Sequence, residues 1–177
     1  MVDIKTVRAK IDQCISSNSC KNDQALSELK INHINSEHSI IINCYAYAFL
    51  GRETTNYDEY SALCKREYER GDKNNGMQSD FVIYLLKNKI LYEIKPKKNA
   101  LVLYFDQDTP KHAGVLEQNL GDDDKIVRSS WGNLGTKSHK LWYVPNIYGN
   151  GVKYYEPLKP NHVLKYFSEF IDKFKQR

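Results

Sequence analysis

The chain has 177 residues, 41% hydrophobic and 27% charged, with 13 tyrosines, which excludes an extended disordered chain and fits one globular domain over 1–177. Its 26 basic against 22 acidic residues leave a net charge of +4, a mild excess spread along the chain that does not mark a nucleic-acid-binding protein. No run of about 18 apolar residues offers a membrane span. The charged start Met1–Lys10 lacks the apolar segment of a cleaved signal peptide, so the expected location is cytoplasmic, or exported by a route that leaves no such mark.

Ile4, Val7, Ile11 and Ile15 recur at helical spacing and predict an N-terminal helix over about 3–17, with Ser16–Asp23 as a polar loop. A β-branched run, Ile40–Ile42, leads into Asn43, an N-cap for a buried helix that starts at Cys44 and stops at Gly51. Two further helices are expected over about Tyr57–Arg70 and Met77–Lys87, where apolar residues stand three and four apart. After Asn88 the pattern changes to short aromatic or β-branched segments separated by Asp, Gly, Pro and Asn. Ala100–Phe105, Ala113–Glu117, Lys125–Ser129, Leu141–Val144 and Val152–Glu156 predict five strands of one antiparallel sheet.

Val163, Tyr166, Phe167, Phe170, Ile171 and Phe174 form a final helical stripe within the stretch 161–177. Its basic residues Lys165, Lys173, Lys175 and Arg177 are interrupted by Glu169 and Asp172, so no nucleic-acid partner is expected there. A helical part over 1–90, a sheet part over 91–157 and a C-terminal helix give the class α+β.

The four cysteines, Cys14, Cys20, Cys44 and Cys64, show no paired CxxC spacing, and neither a metal nor another cofactor is expected. A Cys14–Cys20 disulfide needs the chain between them to turn back. Free thiols of a reducing compartment are the favoured expectation. Cys44 stands at the first turn of its helix, where unpaired backbone N–H groups and the helix dipole stabilise a thiolate, the reactive form. It reads equally as a small core residue among Tyr45, Ala46, Tyr47, Ala48 and Phe49.

Of the five histidines, His112 heads the strand His112-Ala113-Gly114-Val115-Leu116 and is the best placed to act as a base. Ala113 and Gly114 leave room for another backbone or a helix end to come close. Downstream, Val127–Ser130 is a strand that ends in Trp131, an aromatic plate able to shield a histidine hydrogen bond from water. His139, in Lys-Ser-His-Lys, reads as an exposed loop residue or as a partner for the imidazole.

In order, Asn43-Cys44-Tyr45-Ala46-Tyr47-Ala48, His112-Ala113-Gly114-Val115 and Ser129-Ser130-Trp131-Gly132 resemble the papain-like cysteine hydrolase superfamily. Leu101–Leu116 is similar to the corresponding part of NlpC-type cell-wall peptidases, and Ser-Ser-Trp-Gly resembles the Asn-Ser-Trp-Gly of papain. The set is most similar to a group of little-characterised bacterial papain-like proteins. That group shares an Asn-Cys-x-Ala-x-Ala start, a His-Ala strand, a Ser-x-x-Gly element and a later Tyr-Gly. Here these fall at Asn43, Cys44, Ala46, Ala48, His112, Ala113, Ser129 or Ser130, Gly132 or Gly135, and Tyr148-Gly149.

The resemblance implies a papain-like fold, with the nucleophile Cys44 at a helix start packed on the sheet and His112 as its base. Ser129 stands where papain carries the asparagine that orients the histidine, so the third role is open among Ser129, Ser130, Asn133 and His139. Asn43 and the Cys44 backbone N–H are the implied oxyanion donors, with Trp131 and His139 in support. The implied activity is hydrolysis or acyl transfer at an amide or peptide bond, without a cofactor: a thiol protease, a peptidoglycan amidase, a deamidase, or a bacterial toxin or effector of this chemistry. The expected partner is a protein or peptide substrate, peptidoglycan peptides included. The alternative is a catalytically idle papain-like domain that serves as a protein-binding module.

Overall fold

Local sequence starts the helices. The computed structural model describes residues 3–17, 24–34, 43–51, 54–69, 76–121 and 124–174. Helix α1 (Ile4–Ser16) opens on Asp3, whose carboxylate accepts from the N–H groups of Lys5 and Thr6, an N-cap that satisfies two otherwise unpaired donors. Helix α2 (Gln24–Glu28) and strand β1 (Asn32–Ile34) follow. Helix α3 (Cys44–Leu50) is capped by Asn43 and ends at Gly51, whose φ of 75° is open to glycine and costly for other residues. Helices α4 (Thr54–Glu69) and α5 (Ser79–Lys87) precede strands β2 (Leu101–Asp106), β3 (Thr109–Asn119), β4 (Lys125–Ser130), β5 (Thr136–Lys140) and β6 (Gly151–Tyr155). Helix α6 (Pro160–Phe174) starts on a proline, whose missing N–H costs nothing at a first helical position.

Among the described residues the class is α+β, with six α-helices and one six-stranded sheet in the order β1-β5-β4-β3-β2-β6. All its pairings are antiparallel. Alternation along β2 divides the interior: Leu101, Leu103 and Phe105 join a core with α3, α5 and α6, while Val102 and Tyr104 join a second core with α1, α2 and the segment after β5. Along β3, Ala113 lies in the first core and Leu116 in the second. His112 therefore projects on the α1 side of the sheet, and the residue after it faces α3.

The structure corrects several expectations. The sheet has six strands, and Leu141–Val144 is not one of them: its apolar residues turn into the second core after β5. The strand lies just before it, at Thr136–Lys140, in a polar sequence. There Thr136, Lys137 and His139 are buried by the neighbouring strands, so propensity is overridden by tertiary contact. Strand β1, which pairs with β5 at the sheet edge, and helix α2 carry no apolar period long enough to read. Of the two neighbours expected at Gly114, another backbone or a helix end, it is the backbone of β4 that comes close: a Cβ there would meet Val127 Cγ1 at 2.7 Å and the Arg128 carbonyl oxygen at 2.8 Å. Cys14 is disulfide-bonded, against the expectation of free thiols, whereas Cys44 and Cys64 keep their thiols. Most of the expected polar loop, residues 18–23 with Cys20, lies outside the described residues, as do the β-branched run 40–42 and the chain end 175–177.

Candidate active site

Asn43 fixes where Cys44 sits. Its side-chain oxygen accepts from the Ala46 N–H at 2.9 Å, and its amide nitrogen donates to the Met77 carbonyl at 2.7 Å. The cap thus both starts α3 and ties that start to the segment before α5. Tyr45, the next residue, donates its hydroxyl to the Pro110 carbonyl at 2.8 Å, which pins α3 to the start of β3. These bonds set the Cys44 sulfur against β3, where it receives the backbone N–H of Ala113 together with those of Tyr45 and Cys44 itself.

Two effects compete at the thiol. The three N–H groups favour the thiolate, as a helix start should, but removal from water opposes charge more strongly, and the net result pushes the thiol up to about 11. The expected lowering at a helix start is present and is outweighed.

His112 is 1% exposed. Burial, and then the neighbouring His139, hold its pKa well below the ordinary histidine range, so its ring is neutral. Its Nε2 is buried without a hydrogen-bond partner. One face of the imidazole lies flat on the Tyr148 ring, with centroids 3.7 Å apart and planes 7° from parallel. Tyr104 of β2 tilts against it at 5.6 Å. Tyr148 also lies within electrostatic reach of Cys44. Tyr148 thus stacks on His112 and lies within reach of Cys44, whereas Cys44 itself packs with the first core and His112 projects on the other face of the sheet, and among the described residues no hydrogen bond joins the Cys44 thiol to His112.

The candidates for the third role fall into three environments. Ser129 and His139 bond to each other, Oγ to Nε2 at 2.9 Å, and the Trp131 indole N–H donates to Ser129 Oγ at 2.9 Å. His139 Nδ1 lies 2.8 Å from the Lys140 carbonyl, which can only accept, so the proton is on Nδ1 and Nε2 accepts from the serine hydroxyl. Burial pushes His139 down to about 4, in keeping with a neutral ring in this network. His139 is thus a buried strand residue, not part of an exposed loop. Ser130 follows Ser129 on β4 and points to the opposite face of the sheet, buried and across from Thr136. Asn133 is exposed in the 3-10 turn Gly132–Leu134.

Trp131 meets the Tyr148 ring edge to face at 6.2 Å and tilts on His139 at 5.5 Å. It therefore walls the site and links Tyr148 to the serine and histidine beneath it. Trp131, expected as a plate beside His112, packs instead on His139 and Tyr148, and it is Tyr148 that lies on the His112 ring.

Two residues of α1 complete the surroundings and were not singled out by sequence. Arg8, 4% exposed, donates from Nε to the Val144 carbonyl at 3.1 Å and from Nη2 to the Pro145 and Gly149 carbonyls, each at 2.9 Å. Its Nη1 donates to Asn150 Oδ1 at 2.9 Å. Asp12 accepts from the Asn146 N–H at 3.1 Å and from its side-chain amide at 2.7 Å. Arg8 falls inside the apolar stripe of Val7 and Ile11, and that position was the available signal: a charge on a core-facing stripe must find partners there.

No group of three or more His, Cys, Asp or Glu side chains converges as metal ligands would among the described residues, and no helix is long and apolar enough to cross a membrane. No family model, no curated protein and no solved structure matches this chain.

Proposed function

We propose that this chain is a papain-like thiol hydrolase or acyl transferase acting on an amide or peptide bond, with Cys44 as nucleophile and His112 as general base. The observation that carries this reading is the seat of the Cys44 sulfur at the start of α3, on the N–H of the residue that follows the buried, neutral His112. A neutral imidazole is the form that accepts a proton, and a thiol held near 11 keeps its proton until attack begins. The chemistry that follows is general-base assistance rather than a preformed thiolate–imidazolium pair.

In that sequence the sulfur bonds to the substrate carbonyl carbon while His112 takes the thiol proton. The oxyanion rests at the start of α3, with the Cys44 backbone N–H and the second amide hydrogen of Asn43 as donors. Collapse breaks the C–N bond, and His112 returns the proton to the leaving amine. Water, deprotonated by His112, then cleaves the Cys44 thioester and releases the acid and the free thiol. A protein or peptide is the substrate class, peptidoglycan peptides among them, and a role as a bacterial toxin or effector fits the same chemistry.

The second reading, an idle papain-like scaffold that binds a protein, is favoured by one observation: burial raises the thiol and leaves it without a hydrogen bond to His112. Incubation with an activated acyl ester such as p-nitrophenyl acetate, followed by mass spectrometry, separates the two. The hydrolase reading expects an acyl group on Cys44 that turns over in the native protein, is absent in Cys44→Ala and forms far more slowly in His112→Ala. Acylation of Cys64 at the same rate as Cys44, or of neither, favours the idle scaffold.

A further inference from the structure

We propose that Tyr148 is the positioning residue for His112, holding its ring by face-to-face stacking, and that Arg8 sets Tyr148 by gripping the loop 144–150. The inference rests on the reading of Cys44 and His112 given above, and adds to it the groups that fix the base.

An imidazole that serves as a base needs a fixed ring plane, and its χ2 torsion is intrinsically broad. The usual solution is a hydrogen bond from the second ring nitrogen to a third side chain, which fixes rotation and tautomer together. Here the His112 Nε2 is buried and unpartnered. Ser129, which the sequence offered for that role, is already bonded to His139 and Trp131. What confines His112 is a parallel ring at 3.7 Å: turning the imidazole out of its plane would drive one of its edges into Tyr148. Tyr104 closes a second side at 5.6 Å.

A stacked ring positions its neighbour only if it is itself held. Tyr148 ends the short 3-10 turn Asn146–Tyr148, an element with little hold of its own. Arg8 reaches both sides of this turn, bonding to Val144 and Pro145 before it and to Gly149 and Asn150 after it. Asp12 accepts from the backbone N–H and the side-chain amide of Asn146 within it. On the far side, Gly149 lies so close to the Phe105 carbonyl that no Cβ fits between them, and the Asn150 N–H donates to that carbonyl at 2.9 Å. Trp131 meets the ring from the side. The loop is thus gripped from α1, β2 and the turn after β4, and its one aromatic side chain lies flat on the base.

Histidine-labelled NMR of the whole protein tests this directly, in the native chain and in Tyr148→Phe, Tyr148→Leu and Arg8→Gln. The groups facing His112 are Tyr104 on β2, His139 on β5 and Tyr148 on the loop, and Arg8→Gln replaces none of them, although Arg8 lies within electrostatic reach of Tyr104. The native protein should show His112 ring protons displaced upfield by the stacked ring, with no titration between pH 5 and 8. Tyr148→Phe should keep both features. Tyr148→Leu should lose the upfield displacement and move the His112 titration up toward the ordinary histidine value of about 6.5. Arg8→Gln should move both in the same direction although Tyr148 remains. Native His112 protons without the upfield displacement overturn the proposal, even if the leucine variant does not fold. So does Tyr148→Leu or Arg8→Gln with native His112 signals. Because His112 itself is observed, the outcome holds whether or not Cys44 reacts, and acylation at Cys44 with unmoved His112 signals would overturn this inference alone.

Discussion

Lowering the pH from 7.5 to 5.0 is expected to destabilise the fold through its two buried histidines. His139 titrates at about 4 when folded and at about 6.5 when unfolded. Its stability contribution is therefore complete above the unfolded value and is lost as pH falls toward the folded one. At pH 5.0 the unfolded chain binds a proton that the folded chain refuses, which removes about 2 kcal/mol relative to pH 7.5. His112, displaced in the same direction, adds to the loss. The lowered carboxylates Asp3 and Asp124 are exposed and have a reference value of 3.8, so their contributions change below this window. Urea unfolding at the two pH values reads the difference directly. With slopes of about 1–3 kcal/mol per molar urea, the midpoint should fall by about 1 M. His139→Gln should remove about 2 kcal/mol of the pH difference, whatever it does to stability at pH 7.5. Equal midpoints at pH 7.5 and 5.0, or an undiminished pH difference in His139→Gln, would refute the account of buried neutral histidines.

Ser129→Ala leaves the Trp131 indole N–H and His139 Nε2 without their shared partner. At about 1–3 kcal/mol for a buried unsatisfied group, it should lower stability by at least that amount, measured by urea unfolding at pH 7.5. Gly149→Ala meets both a φ of 91° and the Phe105 carbonyl. It should cost about 3 kcal/mol or more, seen as a large drop in Tm, while Gly121→Ala, with open space around it, should cost less.

Much of the site was legible because its signals are local. Asn43 before an apolar run that ends at Gly51 marks a helix start, and the structure begins α3 at Cys44. The residues after His112 mark a strand with the histidine at its head, and β3 contains it, starting three residues earlier at Thr109. What failed depended on partners far along the chain. Thr136–Lys140 looks like a loop because it is polar, yet it pairs with β4 on one side and β1 on the other, and its buried polar groups gain hydrogen bonds that no local pattern announces. Leu141–Val144 looks like a strand because it is apolar, but burial beside Tyr104, whose hydroxyl donates to the Leu141 carbonyl at 2.9 Å, explains that composition without a strand. Arg8 and Tyr148 lie 140 positions apart in the sequence, and neither reveals by itself that one holds the other.

Alkylation of native protein with iodoacetamide from pH 5 to 9, with the modified cysteine mapped by mass spectrometry, tests the assignment of nucleophile and base most directly. The account predicts that Cys44 labels faster than Cys64 and that its rate rises with pH, without the low-pH plateau of a preformed thiolate. It also predicts that His112→Ala slows Cys44 sharply, general-base assistance being worth about 10²–10⁴-fold in a reaction that uses it fully. Labelling of Cys44 no faster than Cys64, and unchanged in His112→Ala, would contradict it.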